Sequence, residues 1–209
     1  MLFRSLRAND ARCLRPGQKL KFDIMRSRYG ASFSTIREAM SKLTSEGLIL
    51  ADGQRGFQVT PVSSQDLNDL ANARVLIETQ AIRLAIRWGD ERWENGIKTA
   101  QQRLAQVKLP AGQSRNDSAE WTRQHREFHM ALLSGCGSPV LLEFAAILFA
   151  RAHRYRRLAE IIRRKKDKIT EHGDIAKACL ARDVARATYL VERHIRQTAE
   201  NILDCLSTV

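Results

Sequence analysis

The chain has 209 residues, of which 44% are hydrophobic and 28% charged, so it has the composition of an ordinary soluble protein with one sizeable core or two small domains. Its net charge is +12, and residues 1–62 contribute +6 of this, with 11 Lys/Arg against 5 Asp/Glu. This dense positive charge favours a nucleic-acid contact in the N-terminal third, because basic side chains that neutralise phosphates release condensed counterions.

The composition also argues against a membrane or secreted protein. The longest apolar run, VLLEFAAILFA at 140–150, is far shorter than a membrane span and contains Glu143. The chain opens without the charged-then-apolar pattern of a signal peptide. Its four cysteines lie far apart with no CxxC pair, which is typical of reduced thiols. We therefore expect a cytoplasmic protein that makes no membrane contact.

A winged helix-turn-helix is predicted for residues 1–62. One short helix ends at Gly30, and a second begins after a capping serine, either Ser32 or Ser34, and ends at Gly47. Two short strands then flank a glycine-containing turn. The elements and their apolar positions are Phe22, Ile24 and Met25 on the first helix, Ile36, Ala39, Met40 and Leu43 on the second, and strands at 48–50 and 57–59.

The second helix of this unit is suited to the DNA major groove, and the wing to the sugar-phosphate backbone. The wing carries Arg55 and Gly56, which are a cation and a residue that permits close approach. Arg26, Arg28 and Lys42 either contact phosphates or form a solvated helix face. The sequence alone leaves these two alternatives open.

An all-α bundle is predicted for residues 63–209, so the fold class is mainly α. Pro61 marks the boundary, and Ser63 with Asp66 can cap the first bundle helix. That helix has an apolar face over 67–88 and stops at Gly89. Further helices are predicted at 91–107, from Asp117 to 133, at 139–162 with Ser138 and Pro139 at its start, at 165–181 and at 183–206.

Four of the five histidines indicate a metal site inside this bundle. His125 and His129 are four residues apart, so both project from one face of the third bundle helix. His172 and His194 lie on the last two helices, and a bundle can bring such residues to one point. A zincin protease needs H-E-x-x-H, whereas Glu127 in HREFH comes one residue late and is turned about 100° away around the helix.

Four N-terminal motifs resemble the winged helix of GntR-type bacterial regulators: LRPGQKL, ASFSTIREAM, LTSEGLI and QRGFQV. They are most similar to those of repressors of the carbon-starvation, glutarate-responsive type. The resemblance implies that Arg37 reads a base. Further candidates for the DNA contact are Ser34, Thr35, Arg28, Arg55 and Gly56. Phe33 stands where the family often has a second arginine, and Thr35 replaces a common proline. Phe33 therefore either touches a thymine methyl or packs.

The bundle resembles the FCD effector domain of the FadR branch of this family. That domain has a D-x-x-x-H motif followed by one histidine on each of the last two helices. The resemblance implies metal binding by His129, His172 and His194, whereas His125 stands where aspartate is usual. His125 is a metal ligand, hydrogen-bonds to a ligand without touching the metal, or faces solvent, and the site can also be empty. Four nitrogen donors favour Zn²⁺ or Ni²⁺.

The resemblance further implies that the effector is a small organic acid. The resemblance alone suggests a dicarboxylate such as glutarate. Arg74, in the family's R-x-x-x-E pattern, then binds the carboxylate. Its alternative role is a salt bridge to Glu78. Arg154 or Tyr155 is a further candidate to face the pocket, whereas His153 is assigned to the surface or to packing.

The resulting hypothesis is a ligand-responsive transcription regulator, a homodimer that represses from a pseudo-palindromic operator in double-stranded DNA. Two alternatives remain: a metal-dependent hydrolase with a nucleic-acid tether, and a constitutive DNA-binding protein whose bundle only dimerises. The chain shows no nucleophile elbow, Walker loop or dinucleotide fingerprint. We therefore predict no enzymatic activity.

Overall fold

The computed structural model describes residues 16–51, 56–108, 119–162 and 170–206. Arg55 and Asp117 lie outside these residues, so their predicted roles at the wing and at a helix cap are not addressed by the structure. The chain divides into two compact units between Ser63 and Ser64, and each is described by itself.

The first unit is a helix-turn-helix with a three-stranded antiparallel sheet of order β1-β3-β2. Ser32 caps the second helix by accepting a hydrogen bond from the Thr35 amide, and Gly30 ends the first helix in the left-handed conformation that glycine tolerates. The two-residue β1 was not predicted, since two residues show no periodicity. The elements are β1 (Lys19–Leu20), α1 (Phe22–Tyr29), α2 (Phe33–Ser45), β2 (Ile49–Ala51) and β3 (Phe57–Val59).

Apolar side chains from every element of this unit form one small core. Met25 from α1 and Leu20 from β1 meet the buried face of α2, which consists of Ile36, Ala39, Met40 and Leu43. Strand β3 pairs with both neighbours, so Val59 opposite Ile49 closes the core from the sheet side. The opposite face of α2 is thereby left exposed.

The second unit is an all-α bundle in which α3 is the central helix and packs on both α6 and α8. Ser138 caps α6 through the Leu141 amide, as its position before a proline predicts. No helix among the described residues is both long enough and apolar enough to cross a membrane. The helices are α3 (Ser64–Trp88), α4 (Glu91–Gln106), α5 (Ala119–Leu133), α6 (Pro139–Ile162), α7 (Thr170–Leu180) and α8 (Val184–Leu206), with a 3-10 turn at Ser134–Cys136.

One junction fixes the end of α3 against its neighbours. Arg182, in the turn between α7 and α8, donates to the Ile86 carbonyl at 2.6 Å and to the Gly89 carbonyl at 2.8 Å. These bonds satisfy carbonyls that a helix end leaves open. A side chain at Gly89 would collide with the Trp93 ring, whose Nε1 donates to the Leu132 carbonyl on α5. The junction therefore sets the positions of α5 and of the α7–α8 pair, which carry the histidines.

Candidate functional site

The four predicted histidines meet inside the bundle. His125 and His129 project from one face of α5, His172 from the first turn of α7 and His194 from the middle of α8, and all four are buried. One ring nitrogen from each lies within 4.8 Å of the others. The structure therefore brings together all four residues, including the one that stands where the resemblance expects aspartate.

The hydrogen bonding of these rings fits a metal ion. His129 Nε2 is buried and has no hydrogen-bond partner, which costs about 1–3 kcal/mol unless a ligand satisfies it. His125 Nε2 and His172 Nε2 are 3.0 Å apart, so both lone pairs cannot face each other without a shared proton or cation. His194 Nδ1 donates to Glu171 Oε2 at 3.0 Å, which leaves its Nε2 lone pair for a metal.

The protonation states agree with this donor set. Burial first, and then Arg156, holds the pKa of His125 well below its usual range. Burial first, and then the neighbouring His194, does the same to the pKa of His129. Both rings are therefore neutral at pH 7, which is the form that binds metals. Four neutral nitrogens in one cluster suit Zn²⁺ or Ni²⁺ better than oxygen-preferring ions.

Two arginines border the cluster. Arg74 Nε donates to Glu78 Oε1 at 2.6 Å, and its guanidinium lies 5.5 Å from the centre of the Phe149 ring, so the salt bridge considered as its alternative role is formed. Arg156 Nη1 lies 3.2 Å from His125 Nδ1 and 3.3 Å from Nε2. Both positive charges lower the pKa of His129. The site therefore combines imidazoles with cationic groups that attract a carboxylate.

Arg156 was missed by the sequence reasoning, although a signal was present. It lies seven residues after Phe149, so both occupy one face of α6. The Phe149 ring lies 5.6 Å from His125 and 5.3 Å from His129, which identifies that face as the one toward the histidines. Only the packing of α6 on α5 distinguishes Arg156 from the other arginines of the RAHRYRRLAE run.

Of the two candidates on α6, Tyr155 reaches the start of α3, and Arg154 lies beside the Tyr155 ring. The Tyr155 hydroxyl donates to Asp66 Oδ2 at 2.6 Å, and Arg151 contacts the other carboxylate oxygen at 2.8 Å. The Arg154 guanidinium lies 5.8 Å from the centre of the Tyr155 ring. An effector role for Arg154 and Tyr155 remains a prediction.

The two remaining polar residues of interest lie outside the cluster. His153 Nε2 lies 3.2 Å from the Thr122 hydroxyl, which agrees with packing, and burial lowers its pKa to about 3. Glu127 forms a partly exposed ion pair with Arg123 at 2.8 Å. Its carboxylate therefore points away from the four histidines, as the helical spacing predicts.

In the first unit, the exposed face of α2 carries the predicted DNA-contacting residues. Phe33, Ser34, Thr35 and Arg37 are all exposed, and so is Arg28 on α1. A shallow surface cleft runs along this face and is lined by Ser34, Arg37, Glu38, Ser41, Lys42 and Ser45.

The wing begins at a residue that must be glycine. Gly56 has φ +102°, a conformation that side chains rarely adopt, and a Cβ there would lie 3.4 Å from the Leu20 carbonyl oxygen. The glycine thus allows β3 to turn back against β1 at the base of the wing.

Both units match known families. Residues 10–59 match the gntR family of bacterial regulatory proteins, and residues 69–197 match the FCD domain. The uncharacterised HTH-type transcriptional regulator BphR of Paraburkholderia xenovorans (strain LB400) is 36% identical over 190 residues, which are 88% of this chain and 76% of BphR. The HTH-type transcriptional repressor GlaR of Escherichia coli (strain K12) is 34% identical over 185 residues, which are 86% of this chain and 84% of GlaR.

Solved structures share the fold. Escherichia coli McbR/YncC superimposes with a TM-score of 0.75 at 19% sequence identity, over 97% of this chain and 93% of that chain. A putative transcriptional regulator GntR from Rhodococcus sp. RHA1 gives 0.71 at 21% identity, over 97% and 94%. At this level of identity the likeness concerns architecture, and it confirms the predicted combination of a winged helix with an all-α bundle.

Proposed function

Because the chain belongs to the gntR family of bacterial regulatory proteins with an FCD domain, and is thus a DNA-binding transcription regulator, we propose that it is a repressor controlled by a small organic acid. The acid binds at a metal held by the bundle histidines. The observation that carries this proposal is the cluster of four buried imidazoles with an unsatisfied Nε2 on His129. The repressor sense is supported by the name of the relative GlaR.

The metal in this proposal is Zn²⁺ or Ni²⁺ bound by His129, His172 and His194, with His125 as the fourth ligand. The position of Glu171 on His194 supports the arrangement, since metal-binding histidines usually give their second N–H to a carboxylate. When bound, the metal would supply a Lewis acid that can accept a carboxylate as a further ligand beside the imidazoles.

The effector in this proposal is a carboxylic acid, with a dicarboxylate such as glutarate as the first choice. None of the four donors is anionic, so a divalent ion keeps its full +2 charge. Arg156 adds positive charge beside it, and Arg74, whose charge is balanced by Glu78, is the further candidate to donate a hydrogen bond to the carboxylate. A carboxylate bound there gains charge-assisted hydrogen bonds from guanidinium groups. Tyr155 then acts at the start of α3, where its hydrogen bond to Asp66 responds to a shift of α6, and Arg154 acts through its contact with the Tyr155 ring.

The working state in this proposal is a homodimer joined through α3 and α6. Residues 139–150 contain a single charged side chain, Glu143, yet Val140 is 59% and Phe144 51% exposed. On the neighbouring α3, Leu76 is 72% exposed. A second copy covers this apolar face by two-fold symmetry, and a dimer supplies the two winged helices that a palindromic operator needs.

A substitution in this face tests the interface. Phe144→Asp is expected to give a monomer in light scattering and weaker operator binding. A dimer that persists in this variant contradicts this assignment of the interface.

The test of the function is a gel shift with duplex DNA from the region upstream of the protein's own gene. We expect specific binding that Arg37→Ala abolishes, because a bidentate arginine–guanine contact is worth about 1–3 kcal/mol in each half-site. Zinc-loaded protein should release this DNA on addition of dicarboxylates, whereas His172→Ala/His194→Ala protein should hold it.

The other outcomes are equally informative. Release that persists after chelation would refute a metal-dependent effector site. Binding that no organic acid alters would favour a constitutive DNA-binding protein with a dimerising bundle. Turnover of any acid in the panel would favour the hydrolase.

A further inference from the structure

A phenyl ring stands at the tip of the DNA-facing helix. Phe33 is the first residue of α2, directly after the capping Ser32, and its side chain is 49% exposed. Its neighbours on the helix, Ser34 and Thr35, have hydroxyls within hydrogen-bond distance of the Ser32 hydroxyl at 2.9 Å and 2.8 Å. The first turn of α2 therefore presents one large apolar group beside short polar side chains.

The ring is held in place from behind. Its centre lies 4.8 Å from that of Phe22 on α1, and the Phe22 ring meets Phe57 on β3 edge-on at 5.6 Å. Such aromatic contacts are favourable and limit the side chain to one orientation. Phe33 thus packs on Phe22 of the first helix, which in turn packs on Phe57 of β3, while about half of the Phe33 surface is left to solvent.

Base chemistry restricts what an exposed phenyl ring can recognise in a major groove. The first residues of a recognition helix contact base edges, and a phenyl ring neither donates nor accepts a conventional hydrogen bond. The thymine C5-methyl group is the apolar feature among the base edges of the major groove. An adenine, guanine or cytosine edge against the ring would lose its hydrogen bonds to water without replacement, which is unfavourable.

We propose that Phe33 reads the C5-methyl group of one thymine in each operator half-site. The inference rests on the proposed function, since it requires α2 to enter the major groove. Phe33 and Arg37 are four residues apart on one face of α2, and one helical turn advances about 5.4 Å. Successive base pairs are about 3.4 Å apart, so this thymine lies within about two base pairs of the base that Arg37 contacts.

The test replaces thymine by uracil, which removes the methyl group and leaves the Watson–Crick edge unchanged. The full-length protein first selects its operator from random-sequence duplex DNA. Each thymine of that operator is then replaced by deoxyuridine, one position at a time. We expect one position per half-site at which affinity falls about fourfold, the effect of removing one buried methyl group. Replacing both symmetric positions should then cost about sixteenfold.

Two variants assign the effect to the ring. The Phe33→Ala variant should bind thymine and uracil operators equally well. Because the Phe33 side chain is about half exposed, the variant should fold, and its melting temperature verifies this. Arg37→Lys, which keeps the positive charge but loses the bidentate contact, is the matched control: it should bind more weakly yet keep the thymine–uracil difference. A Phe33→Leu variant, which keeps an apolar group, should retain part of the difference.

Each other outcome counts against the inference in an identifiable way. If no thymine position responds, or if Phe33→Ala keeps the same response, then Phe33 does not read a methyl group. If the selection enriches no DNA at all, the proposed function itself fails. If the protein binds one operator specifically but its affinity does not depend on any thymine methyl group, the inference about Phe33 fails while the proposed function stands.

Discussion

Replacing His129 with leucine should destabilise the protein when metal is bound and should not destabilise it in metal-free protein. The His129 side chain is buried, and its Nε2 has no partner. An unsatisfied buried polar atom costs about 1–3 kcal/mol, and an apolar side chain of similar volume removes that cost. In metal-free protein, His129→Leu should therefore leave the free energy of unfolding unchanged or raise it by up to about 3 kcal/mol.

With bound zinc, the same substitution should destabilise the protein. A metal at 100 times its dissociation constant stabilises the folded protein by about 2.7 kcal/mol, and the leucine variant forfeits most of this gain. Urea titrations in chelator and in excess zinc measure both values. Tryptophan fluorescence reports the second unit, since Trp88, Trp93 and Trp121 all lie there, and the Trp121 ring stacks at 4.4 Å on His125.

A matched histidine outside the cluster provides the control. His153→Leu removes a histidine that contacts Thr122, and its effect on stability should be equal with and without zinc. If His129→Leu destabilises the protein by the same amount in both conditions, the reasoning fails. That result would mean that His129 Nε2 is already satisfied in metal-free protein, and that zinc does not bind through it.

Three further outcomes are expected. Burial holds the pKa of His125 and His129 below the ordinary value of 6.5, so the unfolded chain binds more protons as the pH falls. The free energy of unfolding of metal-free protein should thus decline below about pH 6.5, by up to about 1.4 kcal/mol per pH unit for each histidine. A free energy of unfolding that stays constant between pH 7 and 5 would contradict this. Gly135→Ala places a Cβ 2.9 Å from an indole atom of Trp93 on α4 and should lower the free energy of unfolding by about 1–3 kcal/mol. Gly96→Ala, at an open position of the same helix, should raise it by about 0.5–1 kcal/mol. Equal melting temperatures for the two variants would refute this difference. Calorimetry on zinc-loaded Arg156→Met should show organic-acid binding weaker by about 1.5–3 kcal/mol with zinc affinity undiminished, and unchanged acid affinity would remove Arg156 from the effector site.

The positions of the helices could be predicted well because their ends have local causes. Gly89 stops α3, and Ser138 with Pro139 starts α6, as glycine and the serine–proline pair predict. The family resemblance is confirmed by the matches to both domains. The interactions that end or start these helices connect residues close together in the chain, and the family motifs are short as well. Both can therefore be recognised in a short stretch of sequence.

Interactions between helices could not be predicted in the same way. Spacing shows that two residues share a face, but it does not show which helix packs there. Arg156 thus escaped notice in a run of basic residues, and the Glu171 carboxylate on His194 depends on the register of α7 against α8. Likewise, the support of Phe33 by Phe22 follows from the crossing of α1 and α2.

The neutral imidazole of His125, at the position where the FCD resemblance implies an aspartate, has a consequence for the proposed metal site. An aspartate beside Arg156 would form an ion pair and neutralise both charges. His125 is neutral, so it competes weakly for the guanidinium at 3.2 Å, and it lowers neither the charge of a bound metal nor that of Arg156. The positive charges of a bound metal and of the neighbouring Arg156 would repel each other, and a carboxylate bound near both would reduce that repulsion. Metal and carboxylate should therefore bind with positive cooperativity, and by linkage each must raise the affinity of the other by the same factor.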